Sequence, residues 1–198
     1  LHVAKTVGCS ILGLDINENG VRNANRLAEE KGIGAKARFQ QCDVSKPLPF
    51  SDCTFDAVFA NDVLCHIPGR PGVLKEMFRV LKPGGRLLFS DALIIGGLVT
   101  HEEIATRSSI GYYVYSPSGE NERLLEAAGF TKITTADTTP SAARIAGRWR
   151  DAREKRKETL IAAEGIGNFE GLQKFLDCVH NLTAERRLLR HLHQARRP

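Results

Sequence analysis

The chain has 198 residues, 42% of them hydrophobic and 26% charged, the profile of an ordinary globular protein with a sizeable core and not of a disordered or low-complexity chain. Its formal charge of +5 belongs to residues 142–198, where 13 Lys/Arg stand against 7 Asp/Glu, while residues 1–141 are nearly balanced at 15 against 16. No apolar run nears the roughly 18–20 residues of a membrane span, and five scattered cysteines without C-x-x-C spacing point to reduced thiols in a cytoplasmic protein.

Residues 1–7 read as a helix with no cap. Residues 9–15 are an apolar run closed by Asp15, the pattern of a buried strand with an acid at its carboxyl end. Asn17 suits the cap of a following helix in which Val21, Ala24, Leu27 and Ala28 have helical spacing, and Lys31-Gly32-Ile33-Gly34 stops it. Residues 37–44 form a further segment ending in an acid, Asp43, before Pro47 and Pro49 mark a loop. A third buried strand, 55–60, runs into Asn61-Asp62. A helix starting there would put Asp62 and His66, four apart, on one face. After the break at Gly69-Arg70-Pro71-Gly72 a helix is expected with Val73, Met77, Val80 and Leu81 inward. Pro83-Gly84-Gly85 ends it, and residues 86–91 give another strand.

Strand and helix alternate, which predicts an α/β fold: a doubly wound, Rossmann-like, mostly parallel sheet with helices on both faces. Residues 96–118 show no clear period. Residues 120–128 read as a helix closed by Gly129, and 130–134 as a strand. Residues 141–164 are expected as one long basic helix and 169–179 as another. A last strand at 188–195 sets His191 and His193 on one face. The expected division is a core of 1–140, a helical cap of 141–187 carrying Arg144, Arg148 and Arg150, and a strand at 188–198 returning to the core sheet. No metal site is expected, because no further ligands cluster with the two histidines in sequence.

In open parallel sheets ligands collect at the carboxyl ends of strands. Two neighbouring strands ending in acids suit an adenosine-containing cofactor: Asp15 can accept both ribose hydroxyls, and Asp43 can bond an adenine amino group while Val44 packs the ring. The run Leu14-Asp15-Ile16-Asn17, then Asp43-Val44, Pro47-Leu48-Pro49-Phe50, Phe55-Asp56-Ala57-Val58 and Val80-Leu81-Lys82-Pro83-Gly84-Gly85 resembles the class I S-adenosylmethionine-dependent methyltransferases over about residues 1–135. The resemblance implies S-adenosyl-L-methionine as cofactor, held by Asp15, Ile16, Asn17, Cys42, Asp43 and Val44, with Asn61 meeting the methionine part by backbone contact. The family's glycine-rich loop and the strand before it have no counterpart, so a further 10–15 residues or so are expected ahead of Leu1.

His66, near its pKa at neutral pH, can serve as a base, and Asp62 can attract or orient a cationic amine. The pair is similar to that in phosphoethanolamine-type N-methyltransferases, which implies an aspartate that holds the amine and a histidine that pairs with a tyrosine from the N-terminal segment. The expectation is a small-molecule methyltransferase, a small amine being the preferred acceptor. Asp91 and the tyrosines at 112, 113 and 115 are further substrate-side candidates. A short-chain dehydrogenase is excluded, since no lysine stands four residues after any of these tyrosines. An inactive methyltransferase-like binding protein and a nucleic-acid methyltransferase are the alternatives. Neither a nucleic-acid nor a membrane partner is expected, and the oligomeric state is left open.

Overall fold

Short apolar strands joined by amphipathic helices build two units, Leu1–Phe50 and Ser51–Pro198, in the computed structural model, which describes residues 1–198. In the first unit, helix α1 (His2–Val7) leads to strand β1 (Ile11–Asp15), helix α2 (Glu18–Glu30) and strand β2 (Ala37–Gln41). The strands pair in parallel, from Ile11 opposite Ala37 to Asp15 opposite Gln41, so both carboxyl ends lie at one edge. Asn17 caps α2 as expected, its side chain accepting from the Gly20 amide. Ala4, Ala28 and Ala37 form a small core, covered by Leu1, Ile11, Ile33 and Phe39. Gly13 is required in β1, because a Cβ there would come within 2.4 Å of the Phe39 ring. The Asn25 amide bonds both backbone groups of Phe39, at 2.8 and 2.9 Å, and so satisfies part of the β2 edge.

The second unit begins with β3 (Phe55–Asn61), a 3₁₀ turn at Leu64–His66, helix α3 (Arg70–Val80) and the long strand β4 (Leu81–Ile95). It continues through helix α4 (His101–Arg107), the two-residue strand β5 (Ser116–Pro117), helix α5 (Glu120–Ala127) and strand β6 (Thr131–Asp137). Helices α6 (Thr139–Glu154), α7 (Lys157–Glu164) and α8 (Ile166–Ala184) then precede the final strand, β7 (Leu188–Arg196). The sheet order is β3-β4-β7-β6, with β5 on β4. β7 alone runs against its neighbours, antiparallel to β4 and β6. Leu87, Phe89, Leu93 and Ile94 of β4 are buried with Leu188, Leu189 and Ala195 of β7, under Val73, Leu74, Met77 and Val80 of α3 and Leu124 and Leu125 of α5.

The doubly wound α/β reading holds, and the structure redraws several boundaries. Pro83-Gly84-Gly85 does not separate helix from strand. α3 passes directly into β4 at Leu81, and the Pro-Gly-Gly residues bulge out, since Phe55 pairs with Leu81 but Ala57 pairs with Arg86. Gly84 takes a left-handed φ of 76° in that bulge. The single basic helix expected over 141–164 is two helices, α6 and α7. The turn between them lets Arg153 bond Glu164 and lie over the Phe169 ring at 5.2 Å. In the irregular 96–118 stretch, α4 is fixed by a capping box between Thr100 and Glu103.

Candidate active site

At the carboxyl edge of the first unit, Asp15 is the last residue of β1 and is exposed. Its Oδ1 accepts from the Asn17 amide at 2.8 Å, which leaves the other carboxylate oxygen open. Gln41, opposite Asp15, donates to the Ile16 carbonyl at 3.1 Å, and the Cys42 amide donates to the Asp15 carbonyl at 2.9 Å, so the two strand ends are stitched together. Two residues past Gln41, Asp43 Oδ1 accepts from the Ser45 hydroxyl at 2.6 Å and its amide at 3.0 Å. Those bonds hold the Asp43 carboxyl below its ordinary range. Burial, and then the Asp43 charge, push the Cys42 thiol up, so it stays protonated. Ile16 is exposed beside Asp15, and Val44 is half-buried beside Asp43. An open carboxylate, a stiffened one and apolar neighbours at the ends of adjacent parallel strands are the acceptors and apolar walls that would suit a nucleoside's hydroxyls, amino group and ring.

In the second unit, Asn61 ends β3 and Asp62 follows with a left-handed φ of 53°. No helix starts there, so the shared helical face expected for Asp62 and His66 does not form. The left-handed step is held in place. The Asp62 amide donates to the Ser90 carbonyl at 3.2 Å and to its hydroxyl at 2.9 Å. Arg190 of β7 reaches over β4: its Nε lies 3.1 and 3.0 Å from the two Asp62 oxygens, and its Nη2 donates to Asn61 Oδ1 and to Ser90 Oγ at 2.9 Å each. A third guanidinium nitrogen donates to Thr138 Oγ1 at 3.0 Å. Asp62 therefore already carries a fixed cation. Neither Arg190 nor Ser90 was among the expected site residues. The available signal was weak, an arginine in a strand that also carries His191, His193, Gln194 and Arg196.

His66 ends the 3₁₀ turn and is exposed. Its Nδ1–H donates to the Tyr112 carbonyl at 3.1 Å. A carbonyl can only accept, so the neutral ring keeps its lone pair on Nε2, facing outward. The Tyr113 ring packs against His66 with centroids 4.6 Å apart, and the buried Arg107 guanidinium lies 4.7 Å from Tyr113 and 5.0 Å from Phe175. Tyr113 and Tyr115 pack on the cluster of Cys65, Leu93, Leu182 and Leu188, while Tyr112 is exposed. Burial pushes the Cys65 thiol up to about 12, with help from Asp91 and Asp62, which makes it inert.

Asp91 is not a substrate-side residue. It is fully buried and bonded by Arg70 at 2.6 Å. The same arginine nitrogen reaches Ser116 at 2.7 Å and Asn121 at 2.6 Å. Asn121 in turn donates to His193 Nε2 at 3.2 Å. His191 and His193 do share a face of β7, and the fold brings Glu122 to them, with ligand-type atoms all within 4.8 Å. Both ring nitrogens of His193 are engaged, Nε2 by Asn121 and Nδ1 by Thr135 at 3.1 Å.

Residues 1–89 match a family model described as a methyltransferase domain. Phosphoethanolamine N-methyltransferase 1 of Triticum aestivum is 28% identical over 161 residues, 81% of this chain and 32% of the wheat protein. The 27-O-demethylrifamycin SV methyltransferase of Amycolatopsis mediterranei is 30% identical over 171 residues, 83% of this chain and 62% of that protein. Among solved structures, a Haemonchus contortus phosphoethanolamine N-methyltransferase 2, in complex with phosphomonomethylethanolamine and S-adenosylhomocysteine, superimposes with a TM-score of 0.89 at 23% identity, over 100% of this chain and 46% of that one. The fold is that of the class I methyltransferases. The domain match adds a likeness in sequence to S-adenosylmethionine-dependent methyltransferases over residues 1–89. The chain spans about a third of the wheat relative and under two thirds of the Amycolatopsis one.

Proposed function

We propose that the protein transfers the methyl group of S-adenosylmethionine to a small molecule, with a small amine as the preferred acceptor. The observation that carries the reading is the pair of acids at one edge: Asp15 closing β1 with an open carboxylate oxygen, and Asp43-Val44 just past its neighbour β2. Asp15 takes the ribose hydroxyls, Asp43 bonds the adenine amino group, and Val44, Ile16, Asn17 and Cys42 enclose the nucleoside. The role of Asn61 toward the methionine part rests on the family resemblance alone. When bound, the sulfonium supplies an electrophilic methyl group, and the enzyme's task is to align the acceptor and exclude water. His66 offers Nε2 as the proton acceptor, its other nitrogen tied to Tyr112. Asp62, balanced by Arg190, keeps lone pairs that can orient an amine.

The relatives that act on phosphoethanolamine support the amine preference, and those acting on other small molecules support the broader class. Calorimetric titration of the full-length protein with S-adenosylmethionine tests the cofactor directly. Heat of binding with a thermal shift is expected. Their absence would favour a methyltransferase-like binding protein without activity.

A further inference from the structure

The fold treats the two faces of α6 differently. Ala143, Ala146 and Gly147 are buried, and Gly147 sits so close to His180 that an added Cβ would stand 3.1 Å from its ring. His180 Nδ1–H donates to the Ala143 carbonyl at 2.9 Å, which fastens this face to α8. The other face carries Arg144, Ile145, Arg148, Trp149 and Ala152, all exposed. Arg144 and Arg148 are four apart, as are Ile145 and Trp149, so the cations form one row and the apolar side chains the row beside it. Trp149 keeps 64% of its surface in water and Ile145 45%, unlike the aromatic and aliphatic side chains of the core.

The basic residues nearby divide in a telling way. Arg150 pairs with Asp151 and Asp177, Arg153 with Glu164, and Lys157 with Glu154. Arg144 and Arg148 have no carboxylate within ion-pairing distance, nor do Lys155 and Arg156 at the end of the helix, while Asp151 and Glu154 are engaged. We propose that this face of α6 seats the protein on an anionic lipid surface. The guanidiniums of Arg144 and Arg148 meet headgroup phosphates and carboxylates, which they can grip with paired N–H donors. Trp149 and Ile145 enter the boundary between headgroups and acyl chains, where an indole finds an apolar body and a wet edge together. The positive excess of residues 142–198 draws the face toward such a surface.

Nucleic acid fits less well. Successive bases need successive aromatic platforms, and this row offers one tryptophan flanked by Ile and Ala. The contact is peripheral, since no helix is long and apolar enough to cross a membrane. The sequence expectation of no membrane partner rested on the lack of a spanning segment, and surface docking needs none.

Trp149 is the chain's one tryptophan, so its fluorescence reports on this face alone. The full chain is mixed with vesicles of phosphatidylcholine, with or without phosphatidylserine. Binding to the phosphatidylserine vesicles, a blue shift of Trp149 emission and release at about 0.5 M salt are expected. Arg144→Gln/Arg148→Gln should lower partitioning at least about tenfold, with circular dichroism and thermal midpoint unchanged. Equal binding to neutral vesicles, an unshifted emission, or full binding by the double variant would overturn the proposal. So would single-stranded DNA that quenches Trp149 in an arginine-dependent way while vesicles leave it unmoved.

Discussion

His66 keeps one ring nitrogen on the Tyr112 carbonyl and its ring against Tyr113, so its tautomer and orientation are set before any acceptor arrives. On the proposed reading His66→Ala should slow turnover by about a hundredfold, the lower range for a positioned acid–base group, while cofactor affinity stays within about twofold. An unaltered rate would return His66 to a packing role. On the same reading Asp15 serves the cofactor instead. Asp15→Ala should weaken S-adenosylmethionine binding by about 1.5–3 kcal/mol, the range for hydrogen bonds to a charged group, and titration calorimetry reads it. Unchanged affinity in that variant would remove the adenosine assignment. Asp62 is the residue whose surroundings depart most from expectation. Residues next to it in sequence gave no hint of Arg190, 128 positions away, because a cross-sheet contact leaves no trace in local spacing.

At the scale of elements, α4 rests on the Thr100–Glu103 capping box, and Glu103 is held down to about 2, mainly by its bonds to Arg187. Thr100→Ala should cost about 1 kcal/mol in chemical denaturation; a loss below a few tenths would mean that packing on α8, not the cap, holds this helix. The box was legible in the sequence, yet irregular flanks hid it. β1, α2, β2, β3 and α5 were readable because apolar spacing and terminal Asp, Asn and Gly agreed at each. The 3₁₀ turn at Leu64–His66 was not. Its left-handed entry at Asp62 depends on Ser90 and Arg190, and no residue nearby dictates it. The same limit hid the partner of His191 and His193. Glu122 reaches them only because α5 packs over the sheet.

For the molecule as a whole, a buried polar chain runs from Arg70 through Asp91 and Asn121 to His193. Burial lowers the His193 pKa below its ordinary value, although Glu122 pulls the other way; His191 and Arg70 add to the lowering, and Asp91 opposes it. The unfolded chain takes up this proton near pH 6.5, before the folded protein does. Stability should therefore be full above that pH and decline as pH falls below it. Denaturation at about pH 7.5 and 5.5 checks this, with His193→Gln expected to show a smaller decline. An equal decline in both would place the sensitivity elsewhere. The strand that carries His193 and Arg190 has one more consequence. β7 fills the slot between β4 and β6, so until residues 188–196 insert, the β3-β4 sheet and the unpaired strand β6 expose raw hydrogen-bonding edges and the Asn61-Asp62 corner has no guanidinium to brace it. On the proposed reading, insertion of β7 both closes the sheet and completes the Asn61-Asp62 corner, so a chain caught before that step would have sticky edges and no activity.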